Sequence, residues 1–589
     1  MSKYRFLNPY NFVRPLPENK SKDEDKVDIK LLGRCAPPPH DRFIGLTGKI
    51  TCELTARTPL FISDSEFVKD HRSGHKSYRF FRLDNYGKEE YTIPSTSLRG
   101  MLRSVFEAVT NSCFSVFEGG LLGKREHPEK YNTGTLMAGF IIQIPAKDNE
   151  KPGIIRKMNF YKLPHSMFVR YKNRPDYNGK KVLVKIDNNS IKEIKEYTQE
   201  DHSDKYTVGY LKTSGEGLPG KKRNEYVFID DGSAEDYELP YGTYHNYIIA
   251  NKNNRFQNTK SLKIGDTIWF RALANKVTEL GFSQIYRKPF KRSINDLLGQ
   301  FSHPCSCYDN LCPACRLFGW AAQNPQEDAT KVSYAGRIKI SHAKITRCNG
   351  VLAEFPLAIL STPKPTTTFF YLLENGKPDF NVNYNSPAAQ LRGRKFYRHL
   401  NVAEEQEFIR TDKKKDDQNR TVRDALKPGA KFSFDIEFEN LAPVELGALL
   451  WSIEMEEDMF HKLGLAKPLG FGSVKLGVKK IKILKTRERY SSIVDDGWKT
   501  VGSEKKRNWI KTFKAAMEEK YDKNFDSLEN VRDLKAILSS TELPVHYPRS
   551  SETPDPDGRN FQWFMNNKRR GKMPLELATE DTKGFPVKF

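Results

Sequence analysis

From about Leu46 the chain alternates: Ile50, Cys52 and Leu54 point one way, and Lys49, Thr51, Glu53 and Thr55 the other. A period of two predicts a half-buried strand, which Thr58-Pro59 ends. After a loop rich in Asp, His and Ser, the apolar residues Leu98, Met101, Leu102, Val105, Phe106 and Val109 recur at helical spacing, behind the capping segment Ser95-Thr96-Ser97. Alternation resumes at Gly336–Ser341 and again at Phe432, Phe434, Ile436 and Phe438. Leu446, Leu449, Leu450 and Ile453 then form one helical face, and Val474, Leu476 and Val478 a closing strand with Lys475 and Lys479 opposite. Strand, helix, long interruption, strand, helix, strand is an α+β order, a stretched ferredoxin-like (RRM-like) plan with long insertions.

The same pattern divides the chain. Residues 1–42 are polar, charged and proline-rich and read as an N-terminal arm, although Asn8-Pro9-Tyr10-Asn11-Phe12-Val13 carries rings that can dock. Residues 43–118 hold the first part of the core, and 299–485 the second. Residues 119–298 read as an insertion with short strand-like pieces such as Thr267-Ile268-Trp269-Phe270 and no fixed-period repeat. Residues 486–589 read as a helical C-terminal extension. Its stripes Trp509, Phe513, Ala516, Met517 and Val531, Leu534, Leu538 have the spacing of core packing.

Charge adds a partner to this picture. The 589 residues carry a formal net charge of +23. Such an excess suits a polyanion, because neutralised phosphates release counterions. Nothing apolar is long enough to span a bilayer, and Met1–Phe6 lacks the apolar region of a secretory signal. A cytoplasmic nucleic-acid binder is therefore favoured over a membrane protein. Leu391–His399 interleaves cations and rings, among them Arg394, Lys395 and Tyr397, and Tyr286–Arg292, with Arg287, does the same. At the first helix start, Ser95 and Ser97 add hydroxyls to free N–H groups, Gly100 leaves room, and Arg99 and Arg103 stand on successive turns. These groups suit a phosphodiester. The loop Gly464–Ser473, with Lys467, Gly470 and Gly472, runs from helix to strand; a Walker loop runs the other way, so a nucleotide triphosphate site is disfavoured.

Of eight cysteines, four lie at Cys305, Cys307, Cys312 and Cys315. Clustering of this kind in a large chain points to metal rather than disulfides. Cys312 and Cys315 make one knuckle, and Cys305 with Cys307, or His303 with one of them, the other. The four cysteines are the favoured set for a closed, structural zinc.

The ordered set Leu46-Thr47-Gly48-Lys49-Ile50, Thr58-Pro59-Leu60-Phe61-Ile62, Ile93–Gly100, Cys312–Gly319 and Gly470-Phe471-Gly472 resembles the RAMP superfamily of type III CRISPR effector complexes. Pro9–Val13, Ser361-Thr362-Pro363-Lys364-Pro365 and Arg392–Tyr397 extend the resemblance to a long-insertion subfamily similar to the guide-RNA backbone subunit. The resemblance implies guide RNA held by the Ser95–Arg103 helix start and the glycine loop, target RNA paired to the guide, and other effector subunits as partners. In some members a loop aspartate cuts target RNA with divalent metal such as Mg. Here the loop offers Asp64, Asp70 and Asp84; Asp70 is the best positional match, but the usual Ile-Asp-Ser/Asn context is missing, and His71 and His75 are present. Two enzymatic alternatives follow: a metal-dependent endoribonuclease using Asp70, or a guide-processing nuclease using the histidines.

Overall fold

The computed structural model describes the chain except residues 1–3, 18–25, 126–134, 148–150, 165–166, 168–177, 199–204, 214–223, 231, 252–260, 300–301, 324, 326–330, 361–363 and 492. The chain is mixed α and β and divides into two compact units. One joins residues 1–118 to 297–589, and the other is 119–296.

The larger unit is built on the alternating segments. Strand β1 (Leu46–Ala56) lies between β3 (Lys431–Leu441) and β4 (Ser473–Leu484), antiparallel to both. The short β2 (Ile338–Ile340) pairs antiparallel with the far side of β3. The order across the sheet is thus β4-β1-β3-β2. Register follows from the pattern: Leu54 lies opposite Phe432 and Leu476, and Cys52 opposite Phe434 and Val478. Each of these residues but Val478 is nearly or wholly buried, because a one-residue slip would send the whole apolar set into water.

Helix α1 (Ser95–Val109) follows β1, and α2 (Pro443–Glu454) follows β3. Leu98, Leu102, Val105, Phe106 and Val109 on α1 are buried, as are Leu446, Leu449, Leu450 and Ile453 on α2. Pro443 occupies the first turn of α2, and the Glu445 carboxylate accepts the Ala442 N–H at 3.1 Å. Glu445 also takes Arg337 in a two-pronged pair at 2.9 and 2.5 Å, with Arg316 at 3.6 Å. Burial alone would raise this carboxyl, but Arg337 and Arg316 outweigh it and hold it below the usual range.

Both terminal segments pack into the larger unit. The C-terminal residues are no appendage: helices Ser503–Tyr521 and Glu529–Leu538 bring Trp509, Phe513, Met517, Val531, Leu534 and Leu538 into the same apolar core as the sheet. Nor is the N-terminal segment a loose arm. Arg5–Phe6 pairs with Phe585–Pro586, and Tyr10–Val13 pairs with Arg394–Tyr397. Phe6, Tyr10 and Phe12 share a second apolar cluster with Phe369, Phe370, Trp563 and Phe585. Seven large rings supply the burial that its polar composition conceals.

The smaller unit holds a nine-stranded sheet, a separate two-stranded pair of Gly123–Arg125 with Arg287–Pro289, and a single described α-helix, Tyr241–Asn251. Its long strand Gly153–Pro164 pairs through its first half with Met137–Gln143 and Asp236–Leu239, and through its second half with Asn224–Ile229.

Candidate functional site

Two sites in the larger unit collect the residues singled out by the sequence. The first is a cysteine centre. The turn after α1 delivers Cys113; a loop delivers Cys305; and the short helix Pro313–Phe318, with Pro313 in its first turn, presents Cys312 and Cys315. The Sγ of Cys113 lies 3.7 Å from that of Cys305, 3.5 Å from that of Cys312 and 3.7 Å from that of Cys315. All four sulfurs lie within 4.8 Å of one another, and all four residues are buried. A zinc–sulfur bond of about 2.3 Å gives a tetrahedron with edges of about 3.8 Å, so these spacings fit one metal ion such as zinc. No cysteine is in a disulfide.

The ligand set differs from the expected one by one member. Cys307 is exposed and outside the centre, and Cys113 stands in its place. His303 is also outside it. Local spacing could not reveal Cys113, because it reaches the knuckle only once α1 is packed. The surroundings suit thiolates. Cys305 Sγ accepts the Cys312 N–H at 3.2 Å, and Arg103 Nη2 approaches Cys315 Sγ at 3.8 Å.

Three arginines proposed for phosphate build the shell of this centre. Arg99 donates to the carbonyls of Ile338 (3.3 Å) and Phe318. Arg103 donates to Glu107 at 2.8 Å and to the Gly319 carbonyl at 3.4 Å. Arg394 meets the other oxygen of Glu107 at 3.0 Å and donates to the carbonyls of Ser112 and of Cys113, the latter at 2.9 Å. The rest of the helix start is more open: Gly100 is exposed with nothing near a notional Cβ, and Ser95 and Ser97 are partly exposed. The Ser95 N–H is taken by His342 Nδ1 at 3.2 Å.

The second site is a set of lysines among rings. The strand pairing places Tyr397 opposite Tyr10 and Lys395 opposite Phe12. Lys395 Nζ sits 3.9 Å from the centre of the Tyr10 ring and 5.0 Å from that of Tyr397. Lys467, on the glycine loop, reaches within 5.7 Å of the same Tyr397 ring. Lys364 and Lys395 line one narrow cavity with Tyr10, Tyr371, Tyr547 and Phe564. Although more than a third of Lys395 is open to solvent, burial against the rings and then repulsion from Lys467 lower its pKa to about 8. Lys462 is lowered to about 7 by burial and by Lys467; Lys364 and Lys467 are lowered by burial. Among the described residues no carboxylate offsets any of these four cations. The glycines here shape the loop. Gly470 and Gly472 have φ of +94° and +74°, and a Cβ on Gly472 would fall 1.8 Å from the Leu463 carbonyl oxygen. Pro468 and Leu469 of this loop wall a cavity of about 790 Å³ with Leu400, Tyr547 and the Arg549–Glu407 pair.

The remaining candidates are elsewhere. Arg287 is an exposed residue of the smaller unit, donating to the Gly123 carbonyl at 3.3 Å. Asp70 sits in an exposed turn, where its carboxylate accepts the Ser73 hydroxyl at 2.6 Å and the Arg72 N–H at 2.9 Å. These bonds, that of Ser73 foremost, hold it below the usual carboxyl range. His75 is buried, bonded to the Asp416 carbonyl and the Thr421 hydroxyl, both at 2.8 Å. Asp70, His71 and His75 join no metal-type cluster among the described residues. Ser361, Thr362 and Pro363 of the resemblance lie outside the described residues. Among those residues no helix is long and apolar enough to cross a membrane.

No family model matches the chain, and no curated protein matches it either. Among solved structures it is similar to the crystal structure of Thermofilum pendens Csc2, at 14% sequence identity and a TM-score of 0.17, over 37% of this chain. The chain spans 57% of the length of that structure.

Proposed function

We propose that the protein is an RNA-binding, backbone-type RAMP subunit of a type III CRISPR effector complex, and that Lys395, Lys467 and Tyr397 hold its guide RNA. The observation that carries this reading is convergence. Segments Tyr10–Val13, Arg394–Tyr397 and the glycine loop are far apart in sequence, and each carries residues of the resemblance, in the loop Gly470-Phe471-Gly472. They meet in one group of rings and lysines that no carboxylate among the described residues neutralises. Lysines take phosphates and tyrosines stack on bases, which is how single strands are gripped.

The sheet order β4-β1-β3-β2, with every neighbour antiparallel and a helix after β1 and after β3, supports a ferredoxin-like core as part of this reading. The four cysteines would hold a structural zinc. With no open ligand position, zinc there supplies stability and no chemistry. Cys113 ties α1 to the Cys305–Cys315 loop, and Arg99 reaches from the same helix to the Phe318 carbonyl. The helix start that the resemblance assigns to guide RNA is thereby fixed to β2 and the knuckle. Other effector subunits and target RNA are the further partners this reading brings.

The test is to purify the protein with the products of neighbouring genes and sequence the RNA that accompanies it. RNAs sharing one repeat-derived 5′ end with varied downstream sequence are expected. Lys395→Glu with Lys467→Glu should deplete them. A random RNA population, unchanged by the two substitutions, rejects the proposal.

A further inference from the structure

The smaller unit contains a closed ring of five strands. In chain order these are Met137–Gln143, Gly153–Pro164, Asp236–Leu239, Thr267–Leu273 and Lys276–Gly281. The first pairs with the second and the fourth, the second with the third, the third with the fifth, and the fifth with the fourth. The circuit is one-two-three-five-four-one. The third and fifth strands are parallel, with Glu238 opposite Lys276 and the Glu238 N–H donating to the Asn275 carbonyl at 2.9 Å; every other neighbour is antiparallel. The helix Tyr241–Asn251 lies between strands three and four, and its Tyr247 enters the barrel core with Ile141, Ile155, Ile268, Phe270 and Val277. Five strands in this circuit, one parallel pair and a helix after strand three define an OB-type barrel.

A fold does not assign a function, so the surface must. Strand two outruns the barrel. Beyond it, Asn159, Phe160 and Lys162 are exposed, and Phe160 and Lys162 share a face because they are two residues apart. The Phe160 ring is 42% exposed, yet it is not loose. It stands edge-on to Trp269 at 4.9 Å, and Trp269 is in turn wedged by Phe228 at 4.9 Å and Tyr226 at 5.2 Å. Trp269 and Phe228 are fully buried. Cross-strand pairing sets Tyr226 opposite Lys162, on the same face as Phe160. A ring presented to solvent on a rigid aromatic support, with a lysine beside it, is a stacking platform that loses little freedom when a base settles on it. Basic residues also outnumber acidic ones across this unit.

We infer that the insertion is a second nucleic-acid module, which binds single-stranded RNA by stacking a base on Phe160 while Lys162 meets the adjoining phosphate. This goes beyond the guide site and does not depend on it. The experiment uses the full-length protein and a 12-nucleotide oligouridylate carrying 4-thiouridine, cross-linked by light and mapped by mass spectrometry. Uridine adducts are expected within Gly153–Pro164, and they should persist when Lys395→Glu and Lys467→Glu remove the guide site. In that background Phe160→Leu with Lys162→Glu should weaken oligouridylate binding about tenfold, whereas Phe160→Tyr, which keeps a ring, should not. Adducts confined to residues outside 119–296, unchanged affinity in the double variant, or equal binding of duplex RNA of the same length would overturn the inference. Loss of guide RNA from the Lys395/Lys467 variant bears only on the other site.

Discussion

Arg394 and Lys395 are neighbours in sequence and opposites in situation. Arg394 spends its guanidinium on Glu107 and on the carbonyls of Ser112 and Cys113, inside the shell of the cysteine centre. Lys395 faces tyrosine rings and another lysine, with no carboxylate among the described residues to balance it. The cysteine centre is an electrostatically closed structure, in which each nearby cation already has its acceptors. The lysine group is open: its charges are crowded, partly desolvated and short of anions. Counting cations in sequence does not separate the two; counting their acceptors does.

The largest effect should come from opening the closed region. Cys113→Ser removes a ligand that no nearby residue replaces, so bound zinc, measured by mass spectrometry, should fall from one per chain to near none, and Tm should drop by roughly 10 °C or more. If Cys307→Ser did the same, the ligand set drawn from the structure would be wrong. Next comes the neighbouring pair. Arg394→Ala should destabilise the fold by about 2–4 kcal/mol in urea unfolding, since one Glu107 oxygen and the carbonyls of Ser112 and Cys113 lose their donor. Lys395→Ala should leave stability within about 0.5 kcal/mol and weaken RNA binding roughly tenfold, with a shallower salt dependence. Reversed outcomes would erase the contrast.

Protons sharpen the comparison further. Lys395 and Lys462 hold their protons up to only about pH 8 and 7, and a phosphate needs them charged. RNA affinity should therefore fall as pH rises from 7 to 9, and Lys395→Arg should flatten that fall. Histidines act on the fold instead. Burial lowers His399, His461 and His546 to about 4, so they stay neutral in the folded chain while the unfolded chain protonates near 6.5. Their contribution is complete above about pH 6.5 and is lost as pH falls toward 4, which urea midpoints across that range would record. The smallest effect is expected at Asp70. Its carboxylate serves its own turn, so Asp70→Ala should change neither RNA binding nor any RNA cleavage by more than the error of the assay.

What could be read from the sequence was what repeats locally. The alternation at Ile50, Cys52 and Leu54 and the helical spacing from Leu98 to Val109 appear as β1 and α1, because a long periodic run buries one face whatever its partner. Three of the four centre cysteines, Cys305, Cys312 and Cys315, were visible for the same reason, as candidate ligands clustered within eleven positions. What escaped depends on contacts between distant segments. Cys113 joins the centre only through the packing of α1, and the N-terminal strand becomes core only when Phe369, Trp563 and Phe585 surround it. All but one of the barrel strands are short, and the alternation is broken by register shifts at Ile154 and Arg271. Basic stretches revealed charge but not its acceptors, which is why Arg103 and Arg394 looked like Lys395.

The pairing of Arg5–Phe6 with Phe585–Pro586 has a consequence in time. Arg5 donates to the Lys583 carbonyl across 578 residues of chain. At about 5–20 residues per second, a ribosome needs something like half a minute to two minutes between making these partners. Throughout that interval Phe6, Tyr10 and Phe12 have left the ribosome without the rings that will cover them. A nascent chain stopped short of Trp563 would keep an adhesive apolar edge, a marker of incompleteness that chaperones and proteases can read. The strand Phe585–Pro586 thus serves as a seal, after which the newborn chain no longer presents that edge.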